Sequence, residues 1–480
     1  MAISADEGIK AILKTFYKEG VSNLLVPRND PLLREVGFTK VEGKEQRFAA
    51  LASRGGAVSA DFLVAKDKAI KTAKNVEFIV TPGQLFSSYV FNAKEVQASL
   101  SKRGGYMKIC GNKFFAANQA FRSTLAASLY GSGYGEIGIF SSGAAPDAMV
   151  KNTAYTLDGI GLDVMSKIDL DSSIVLKTSR TGAELVELVV TDIDDVAGTI
   201  TGLPQANYTV VASTDYIIAL KGAMDGAEGA AGNPLMPMGL DGWLPIVNGR
   251  KNGVSDTKWT DYIGTTFFGV NRSAAPSRLA GQFYQETSSS AKKSDTVTQL
   301  FFKQRHAGGV PDYVILNDED YVDIMKEVGP QFTQFAKAEE KNKKKMVVGL
   351  SDMAFAVSTS WINNVYDTPY CPKGKFYILD KTGIEYFVYT SAASLPDGID
   401  ANNPGKQDVM DAENKGHEDD PFKLLIDDLV SVVPGEATSS GESVRASLNF
   451  FGSLAITNPS VQGVGMFYTS DPTKIIGYVA

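Results

Sequence analysis

The sequence predicts a protein of the α+β class that carries a small all-β domain inserted into its body. Three observations lead to this prediction. Apolar residues at helical spacing occupy residues 107–130. Short β-branched runs, separated by Gly, Asp or Pro, follow one another over residues 157–222, as in a small barrel or sandwich. Two helical patterns, over 294–306 and after Asn317, flank the strand-like run VPDYVIL.

The first hundred residues predict an arm followed by a projecting hairpin. One helical face near the start carries apolar residues at the i, i+3, i+4, i+7 spacing: Ile9, Ile12, Leu13 and Phe16. Pro27 and Pro31 then interrupt regular structure, so we expect an extended arm with a helical start. From Gly55 to about Val90, apolar runs such as VEFIVTP alternate with Lys-rich stretches. This pattern predicts a long hairpin.

The long helix over 107–130 is expected to stop at the run GSGYGEIG, because glycines commonly end helices. Gly133 to Gly138 also spell GxGxxG, which binds a pyrophosphate where it follows a strand and opens a helix. Here the run follows a helix instead. We therefore interpret it as a helix stop rather than a dinucleotide site.

The strands expected in the β insertion are LDVMSKIDL, SSIVLKTS, ELVELVVTDI, GTITGL, YTVVAS and DYIIALKG. The Gly/Ala/Pro-rich run GAMDGAEGAAGNPLMPMGLDGWLP is then expected to be a loop. The stretch 346–390 predicts mostly strands, 395–421 a polar acidic loop, and the last fifty residues a return to β structure.

The two helices of the C-terminal half have predicted inward faces. In the helix over 294–306 this face carries Val297, Leu300 and Phe301. Asn317 is a good N-cap for the next helix, with Asp320 three positions on. The buried side of that helix is expected to consist of Tyr321, Ile324, Met325 and Val328.

Composition excludes several classes of protein. The 480 residues are 44% hydrophobic and 21% charged, enough for a real core. A net charge of -8 argues against a protein that grips nucleic acid. Cys110 and Cys371 form no CxxC pair, so we expect neither a disulfide scaffold nor a thiolate zinc site, and a reducing cytoplasm suits folding. No secretion signal or membrane-spanning apolar run is recognisable.

The residues that could carry chemistry are few. His306 ends a predicted helix and His417 lies in an acidic loop, so a His-based triad or metal site is hard to build. Two acidic clusters could hold calcium or magnesium, but solvated charge explains them as well: Asp192, Asp194 and Asp195, and Glu418, Asp419 and Asp420. The basic run 339–345 either contacts nucleic acid or a neighbour, or is a solvated helix end. We expect no catalytic, cofactor-binding or metal-binding residues.

The order of these parts resembles the major capsid proteins of tailed bacteriophages, the Hong Kong 97-type fold that encapsulins share. The helix over 107–130 resembles the spine helix of that family's peripheral domain. GLDGWLP and FFGVNRSAAPSRLAG are similar to its linking segment, and NFFGSLAITNPSVQGVG to its closing strand. The size and the inserted domain are similar to those of crAss-like gut phages. Positions for the Lys–Asn crosslink of some relatives cannot be matched here.

The resemblance implies a division of the chain into seven parts. These are an N-terminal arm (1–54), an extended loop (55–100), a peripheral domain with the spine helix (101–156), the inserted β domain (157–222), a connector returning to the peripheral domain (223–290), an axial domain (291–440) with the long loop 395–421, and C-terminal strands (441–480). Sixfold and fivefold rings reuse one surface in slightly different geometry, so the glycines at 104–105 and 131–135 are expected to act as hinges that allow this adjustment.

The function implied is self-assembly as hexamers and pentamers into an icosahedral shell around double-stranded DNA, without enzymatic activity. Expected partners are other copies of the chain, portal, separate scaffolding and decoration proteins, and loosely held DNA, with no membrane. The place of action is the virion, after assembly in the host cytoplasm. Three alternatives stay open: an encapsulin-like compartment, a β-rich carbohydrate-active enzyme using an Asp and Glu pair, and a tail-tube or neck protein.

Overall fold

The computed structural model describes residues 30–41, 44–53, 58–68, 74–92, 120–226, 232–247, 267–328, 355–357, 360–362, 364–389, 430–434 and 443–479. The helices of these ranges are α1 (Pro31–Glu35), α2 (Phe62–Lys68), α3 (120–128), α4 (Leu162–Met165), α5 (Leu240–Trp243), α6 (Pro276–Leu279), α7 (Lys293–His306) and α8 (Asp318–Val328). Short 3-10 helices cover Arg272–Ala274, Pro459–Val461 and Pro472–Lys474.

The strands of the first half are β1 (Gly37–Val41), β2 (Gln46–Ser53), β3 (Lys74–Val80), β4 (Gly83–Asn92), β5 (Glu136–Ser141), β6 (Asp147–Met149), β7 (Tyr155–Asp158), β8 (Ser173–Lys177), β9 (Val186–Asp194), β10 (Thr199–Pro204), β11 (Tyr208–Val210) and β12 (Asp215–Leu220). Those of the second half are β13 (Ile246–Val247), β14 (Gln282–Gln285), β15 (Tyr313–Leu316), β16 (Phe355–Val357), β17 (Ser360–Ile362), β18 (Asn364–Asp367), β19 (Lys375–Leu379), β20 (Ile384–Tyr389), β21 (Val430–Pro434), β22 (Ser443–Ile456), β23 (Gly463–Met466) and β24 (Tyr478–Val479). This mixture of helices and strands confirms the α+β class.

The chain divides into two compact units. The larger unit comprises Arg28–Leu85, Ser123–Ala392 and Phe450–Ala480. Of the smaller unit, the structure describes residues 86–92, 120–122, 430–434 and 443–449. There, β21 pairs antiparallel with the first half of β22, from Val430 opposite Leu448 to Pro434 opposite Val444.

The β part of the larger unit is a six-stranded antiparallel sheet in the order β5-β12-β8-β9-β10-β7, beside a two-stranded ribbon of β6 and β11. Its edge strands β5 and β7 contact each other, so the sheet curls towards a barrel, one of the two shapes expected. Alternate residues of the strands point inwards and form one apolar core that includes Leu188, Val190, Ile200, Tyr216 and Ile218.

The β sheet begins earlier than the sequence predicted. Its first strand, β5, lies at Glu136, in the segment expected to belong to the peripheral domain. LDVMSKIDL was also expected to be a strand and instead starts with helix α4. The adjacent residues Val164 and Met165 of α4 are both buried in the apolar core, whereas alternate residues would be buried in a strand with one solvent-exposed face. The other five predicted strands are confirmed as β8 to β12.

A second sheet supports the other half of the larger unit. Its order is β14-β23-β19-β15-β18, and both β15 and β19 are buried along their whole length. This burial confirms VPDYVIL as an internal strand, since a continuous apolar run is typical of strands covered on both faces. Helices α7 and α8 pack against this sheet.

Helix α7, at Lys293–His306, agrees to within one residue with the helix predicted over 294–306. Val297, Leu300 and Phe301 are buried as expected. Glu327 of α8 caps its N-terminus: its carboxylate accepts from the backbone N–H groups of Lys293, at 2.9 Å, and Ser294, at 3.1 Å. A carboxylate is stabilising there because the first N–H groups of a helix lack intrahelical partners.

Helix α8 also follows the prediction. The side chain of Asn317 accepts a hydrogen bond from the backbone N–H of Glu319, at 3.0 Å, and so caps the helix as expected. Ile324 is fully buried, whereas Tyr321 and Met325 are partly buried against the same core; the Val328 side chain lies outside the described residues.

Three local predictions were wrong or incomplete. Pro31 begins α1 rather than interrupting structure, because proline fits the first helical position and Asp30 caps the helix by accepting from the N–H of Leu32 at 2.8 Å. The projecting hairpin consists of β2 and β3, so its first strand precedes Gly55 and lies in the expected arm. The run GLDGWLP was expected to be a loop but contains the buried turn of helix α5.

The glycine run after α3 behaves as predicted. Helix α3 ends at residue 128, and Gly133 and Gly135 then adopt left-handed backbone with φ of 85° and 71°. Strand β5 follows, not a helix. The helix-stop interpretation is therefore confirmed, and the context of a dinucleotide site is missing at this motif. The predicted start of this helix, residues 107–119, lies outside the described residues, as do the first 29 residues and the loop 395–421.

A first prediction concerns the Asn317 cap. Its amide also donates to the carbonyl of Cys371 at 2.8 Å, which ties α8 to the turn before β19. We expect Asn317→Ala to lower the free energy of unfolding by about 2 kcal/mol, because one cap and one buried hydrogen bond are lost. Urea denaturation measures this, and Asn317→Ser, which keeps a cap oxygen but loses the amide donor to Cys371, separates the cap from the second hydrogen bond. Equal stability of the alanine variant and the wild type would contradict the prediction.

Candidate assembly surfaces

The hairpin of β2 and β3 is the first candidate assembly surface of the larger unit. Strands β2 and β3 pair antiparallel from Gln46 opposite Val80 to Ser53 opposite Lys74, with α2 between them in the chain. Side chains on β3 alternate: Glu77 is exposed, whereas Phe78 and Val80 are completely buried. One face of the hairpin therefore packs on the body, and the other faces solvent.

An aromatic cluster anchors the base of this hairpin. Phe78 stacks with Phe48 across the two strands, with ring centroids 5.3 Å apart, and contacts Trp243 at the same distance. Trp243 in turn meets the edge of Phe267 at 4.9 Å and lies 5.5 Å from Phe268. Aromatic pairs of this kind stabilise beyond the area they bury. The hairpin is therefore fixed to the two segments that hold Trp243 and Phe267.

Polar contacts complete this anchor. Arg272 lies over the ring of Phe267, 3.8 Å from its centroid, and donates to the carbonyls of Gly242 and Trp243 at 2.9 and 3.0 Å. The backbone N–H of Ile79 donates to the carbonyl of Phe268 at 2.9 Å. A guanidinium suits this place because its planar face covers an aromatic ring while its N–H groups reach backbone oxygens.

The segment between the hairpin strands exposes apolar side chains. Phe62 and Leu63 at the start of α2 are 77% and 69% exposed, and Val58 just before it is fully exposed. Single exposed apolar residues are ordinary, but several adjacent ones on a projecting element are typical of a contact surface. We call Val58, Phe62, Leu63 and Val64 the apolar tip.

A groove of about 1290 Å³ lies beside the hairpin in the larger unit. Its walls come from β2, α6, β14, the end of α7 and the turn 457–460. Arg278 spans it, donating to the carbonyl of Ala52 at 2.5 Å. Lys303 donates to the carbonyl of Phe283 at 3.0 Å and lies over the ring of Tyr284. His306, the last residue of α7, also lines this groove.

Four charged side chains form a buried ionic cluster in the larger unit: Glu136, Arg180, Asp241 and Lys375. The Asp241 carboxylate accepts from Arg180 Nη2 at 2.8 Å and from Lys375 Nζ at 2.9 Å. Arg180 also pairs with Glu136. The side chains of Asp241 and Lys375 are completely buried, and those of Arg180 and Glu136 are 6% and 1% exposed.

The cluster joins three parts of the larger unit. Glu136 begins β5, Arg180 lies in the turn after β8, Asp241 belongs to α5, and Lys375 begins β19. Removing one partner from such a cluster leaves an uncompensated charge in a low dielectric, which is strongly destabilising. The cluster is therefore expected to fix where these three segments meet.

Two other buried carboxylates hold the same unit together. Asp320 accepts from Lys293 Nζ at 2.8 Å and from the N–H of Gly374 at 2.7 Å; burial raises the pKa of this carboxyl, and Lys293 opposes the rise. Asp30 accepts from the hydroxyls of Tyr130 and Thr368, each at 3.0 Å. Both arrangements satisfy buried oxygens and serve the fold.

Of the residues considered for chemistry, the structure describes His306, Cys371 and the cluster of Asp192, Asp194 and Asp195, which belong to different elements. Cys371 is buried, and burial raises the pKa of its thiol well above the ordinary value, so the thiolate is disfavoured. Asp192, Asp194 and Asp195 lie at the exposed end of β9 and in the turn after it. Cys110, His417, the cluster 418–420 and the basic run 339–345 lie outside the described residues.

The described ranges contain neither a candidate metal site nor a candidate membrane-spanning helix. No group of three or more His, Cys, Asp and Glu side chains there is arranged to hold a metal ion. Among the helices in the same part of the chain, none combines the length and apolar character needed to cross a membrane.

Sequence reasoning missed the ionic cluster. Its signal was an acidic residue inside an otherwise apolar phrase, Asp241 in GLDGWLP, and a lysine that begins the apolar run KFYIL at Lys375. Charged residues in such surroundings are rarely buried unless they are paired. Arg180 lies 61 positions and Lys375 lies 134 positions from Asp241 along the chain, so spacing could not have joined them.

Comparison with known proteins gives likenesses of structure only. No family model and no curated protein matches the sequence. The chain is similar to one in the cyanophage A-1(L) capsid asymmetric unit, with 10% identity and a TM-score of 0.48, over 95% of this chain and 97% of that one. A chain of Mycobacterium phage Bobi is similar with 9% identity and a TM-score of 0.44, over 98% of this chain and 100% of that one. A chain of the holo-SrpI encapsulin complex from Synechococcus elongatus is similar with 9% identity and a TM-score of 0.41, over 98% of this chain and 100% of that one.

The ionic cluster yields a prediction with a matched control. Lys375→Met removes one of the two cations from Asp241, and we expect the free energy of unfolding to fall by about 3–5 kcal/mol. Lys177 is equally buried and its Nζ donates to the carbonyl of Tyr134 at 3.4 Å, but burial lowers its pKa more than the carboxylates of Glu136 and Glu184 raise it. Lys177→Met should therefore change stability by less than about 1 kcal/mol. Similar losses in both variants, measured by chemical denaturation, would refute the special role of Lys375.

A glycine beside the cluster gives an independent prediction. Gly477 has a φ of 80°, and a Cβ there would lie 2.0 Å from Asp241 Oδ2. Gly222 has nearly the same φ, 78°, but a Cβ there meets nothing within 4 Å. We expect Gly222→Ala to reduce stability by about 1 kcal/mol, from backbone strain alone. Gly477→Ala should lower the melting temperature several times more, because the Asp241 carboxylate must move. Equal shifts would contradict this explanation.

Proposed function

We propose that this chain is a major capsid protein of Hong Kong 97 type, which self-assembles as hexamers and pentamers into the icosahedral shell of a tailed phage. This is the function implied by the order of sequence elements. The observation that carries the proposal is the anchored hairpin, which combines a packed aromatic base with the exposed apolar tip. The exposed apolar side chains offer contact area that a second copy can cover.

The contrast between base and tip supports this proposal. At the base, Phe48, Phe78 and Trp243 pack together and fix the direction of the strands. At the tip, Phe62 and Leu63 are mostly exposed. A rigid base reduces the entropy lost when the tip is bound, and this loss is a major term that opposes association. Pre-organised projecting elements are therefore suited to assembly.

The finer parts of the proposal follow from the same class of protein. The chain would consist of seven parts: an arm (1–54), an extended loop (55–100), a peripheral domain (101–156), the inserted β domain (157–222), a connector (223–290), an axial domain (291–440) and closing strands (441–480). Partners would be portal, separate scaffolding and decoration proteins. A net charge of -8 suits a container that holds double-stranded DNA loosely. The shell would assemble in the host cytoplasm and end as part of the virion.

Electron microscopy and sedimentation of the purified chain test the proposal. We expect closed shells for the wild type. The double variant Phe62→Asp/Leu63→Asp should raise the protein concentration needed for assembly by at least about tenfold, since losing 1.4 kcal/mol of contact energy has that effect. The variant should keep its circular dichroism spectrum, because both side chains are exposed.

The matched control is Val322→Asp, which places the same charge on the exposed face of α8, where Val322 is 48% exposed. It should assemble like the wild type. A wild-type chain that stays monomeric at high concentration would refute the shell function, and hydrolysis of a glycan panel by that monomer would favour an enzyme. Tubes or open rings in place of shells would favour a tail or neck protein.

A further inference from the structure

The negative charge of this chain is concentrated in its β part. Residues 136–222 contain 12 acidic and 5 basic side chains, a net charge of -7 out of -8 for the whole chain. Two of the five cations, Lys177 and Arg180, are buried. The surface of the β part is therefore strongly acidic, whereas the rest of the chain is close to neutral.

The turn between β9 and β10 presents this charge on a narrow projection. Asp192, Asp195 and Val196 are all exposed, Val196 to 93%. Asp194 holds the turn in shape, because its Oδ1 accepts from the N–H groups of Val196 at 3.0 Å and Ala197 at 2.9 Å. The turn is therefore a pre-shaped acidic projection with one apolar side chain at its end, and we call residues 192–197 the acidic turn.

The groove beside the hairpin has the opposite charge. Of its described lining residues, three are basic or can become so, Arg278, Lys303 and His306, and none is Asp or Glu. The hydrogen bond of Arg278 to Ala52 goes to a carbonyl oxygen, which orients the guanidinium without removing its charge. Such a basic groove in an acidic protein favours an anionic occupant.

We propose that the acidic turn of one copy inserts into the basic groove of a second copy. The inference rests on the proposed self-assembly and names one of its contacts. Asp192 and Asp195 would face Arg278 and Lys303, while Val196 would cover apolar groove surface. An apolar centre with charged surroundings is the usual anatomy of a protein interface.

Apolar groove surface suited to Val196 is present in β2. Leu51, a wall residue of the groove, is 57% exposed. The groove volume of about 1290 Å³ leaves room for a narrow turn of a few residues. The acidic turn and the groove are separate surfaces of one chain, so the contact is head-to-tail. Repeated head-to-tail contacts close into rings when the rotation between copies fits, which is the geometry that hexamers and pentamers need.

Charge reversal tests the contact. Asp192→Lys/Asp195→Lys and Arg278→Glu/Lys303→Glu should each raise the concentration needed for assembly by at least tenfold at low salt. The chain that carries all four substitutions should regain assembly, because its turn is then basic and its groove acidic. In an equimolar mixture of the two double variants the contact should return only in even-numbered rings, because the two variants must alternate around the ring. The wild-type contact should weaken with added sodium chloride, since salt screens exposed charges.

Crosslinking locates the contact directly. In a Cys110→Ser background, Val196→Cys combined with Ser277→Cys in the groove wall should give chains linked by disulfides after mild oxidation, visible as a ladder on a non-reducing gel. Each single cysteine, and Val150→Cys combined with Ser277→Cys, should give no ladder. Val150 is a fair control because it is 51% exposed elsewhere on the β part.

The outcomes separate this inference from the function on which it rests. Wild-type shells together with unaffected assembly of both double variants and no ladder would overturn the contact and leave the shell function standing. Normal assembly of Arg278→Glu/Lys303→Glu with reduced retention of DNA would show that the groove binds nucleic acid, and would also overturn it. A wild-type chain that never assembles would refute both proposals.

Discussion

The larger unit depends on how one buried carboxylate is neutralised. Asp241 is completely shielded from water and is held between Arg180 and Lys375. An isolated carboxylate at such a depth would be far less stable than in water, so the surrounding core is stable only with the two cations in place. Because the three residues come from three distant parts of the chain, this requirement specifies the tertiary arrangement more narrowly than apolar packing does.

Helix α5 links this ionic cluster to the hairpin. It is a single turn, too short to be stable by its own hydrogen bonds, so its position depends on tertiary contacts. Asp241 provides the ionic contact and Trp243, two residues later, the aromatic one, with its indole N–H donating to the carbonyl of Leu454 at 2.7 Å. The direction of the hairpin is therefore coupled to the charge pairing in the core.

Sequence reasoning predicted the parts of this fold that local patterns determine. Helices α7 and α8 and strand β15 were found because their periodicity and the Asn317 cap are local signals. Pro31 was misinterpreted because proline both breaks a helix and begins one, and only the Asp30 side chain decides between the two. The start of the β sheet at Glu136 was missed because the glycine run before it indicates where a helix ends and not which element follows.

The candidate surfaces were less predictable than the fold. The sequence indicated a hairpin, but its apolar tip is meaningful only because exposure is known residue by residue. The groove joins residues from β2, α6, β14 and α7, which no sequence window contains together. Arg278 and Lys303 therefore look like ordinary surface cations in the sequence, and only the fold shows that they share a cavity.

The distribution of charge along this chain decides its contacts with DNA and with other copies more than the net charge does. A total of -8 suggests a uniformly acidic protein that repels DNA, yet residues 136–222 carry -7 of it. The remaining chain is nearly neutral, so it can lie close to phosphates or to another copy without strong repulsion. The acidic β part is different: it is repelled by phosphates and by its own equivalent in a neighbour, and it is attracted to basic surfaces. In a shell around DNA, these forces favour placing it away from the genome and against a basic neighbour, and the groove of the next copy is such a surface.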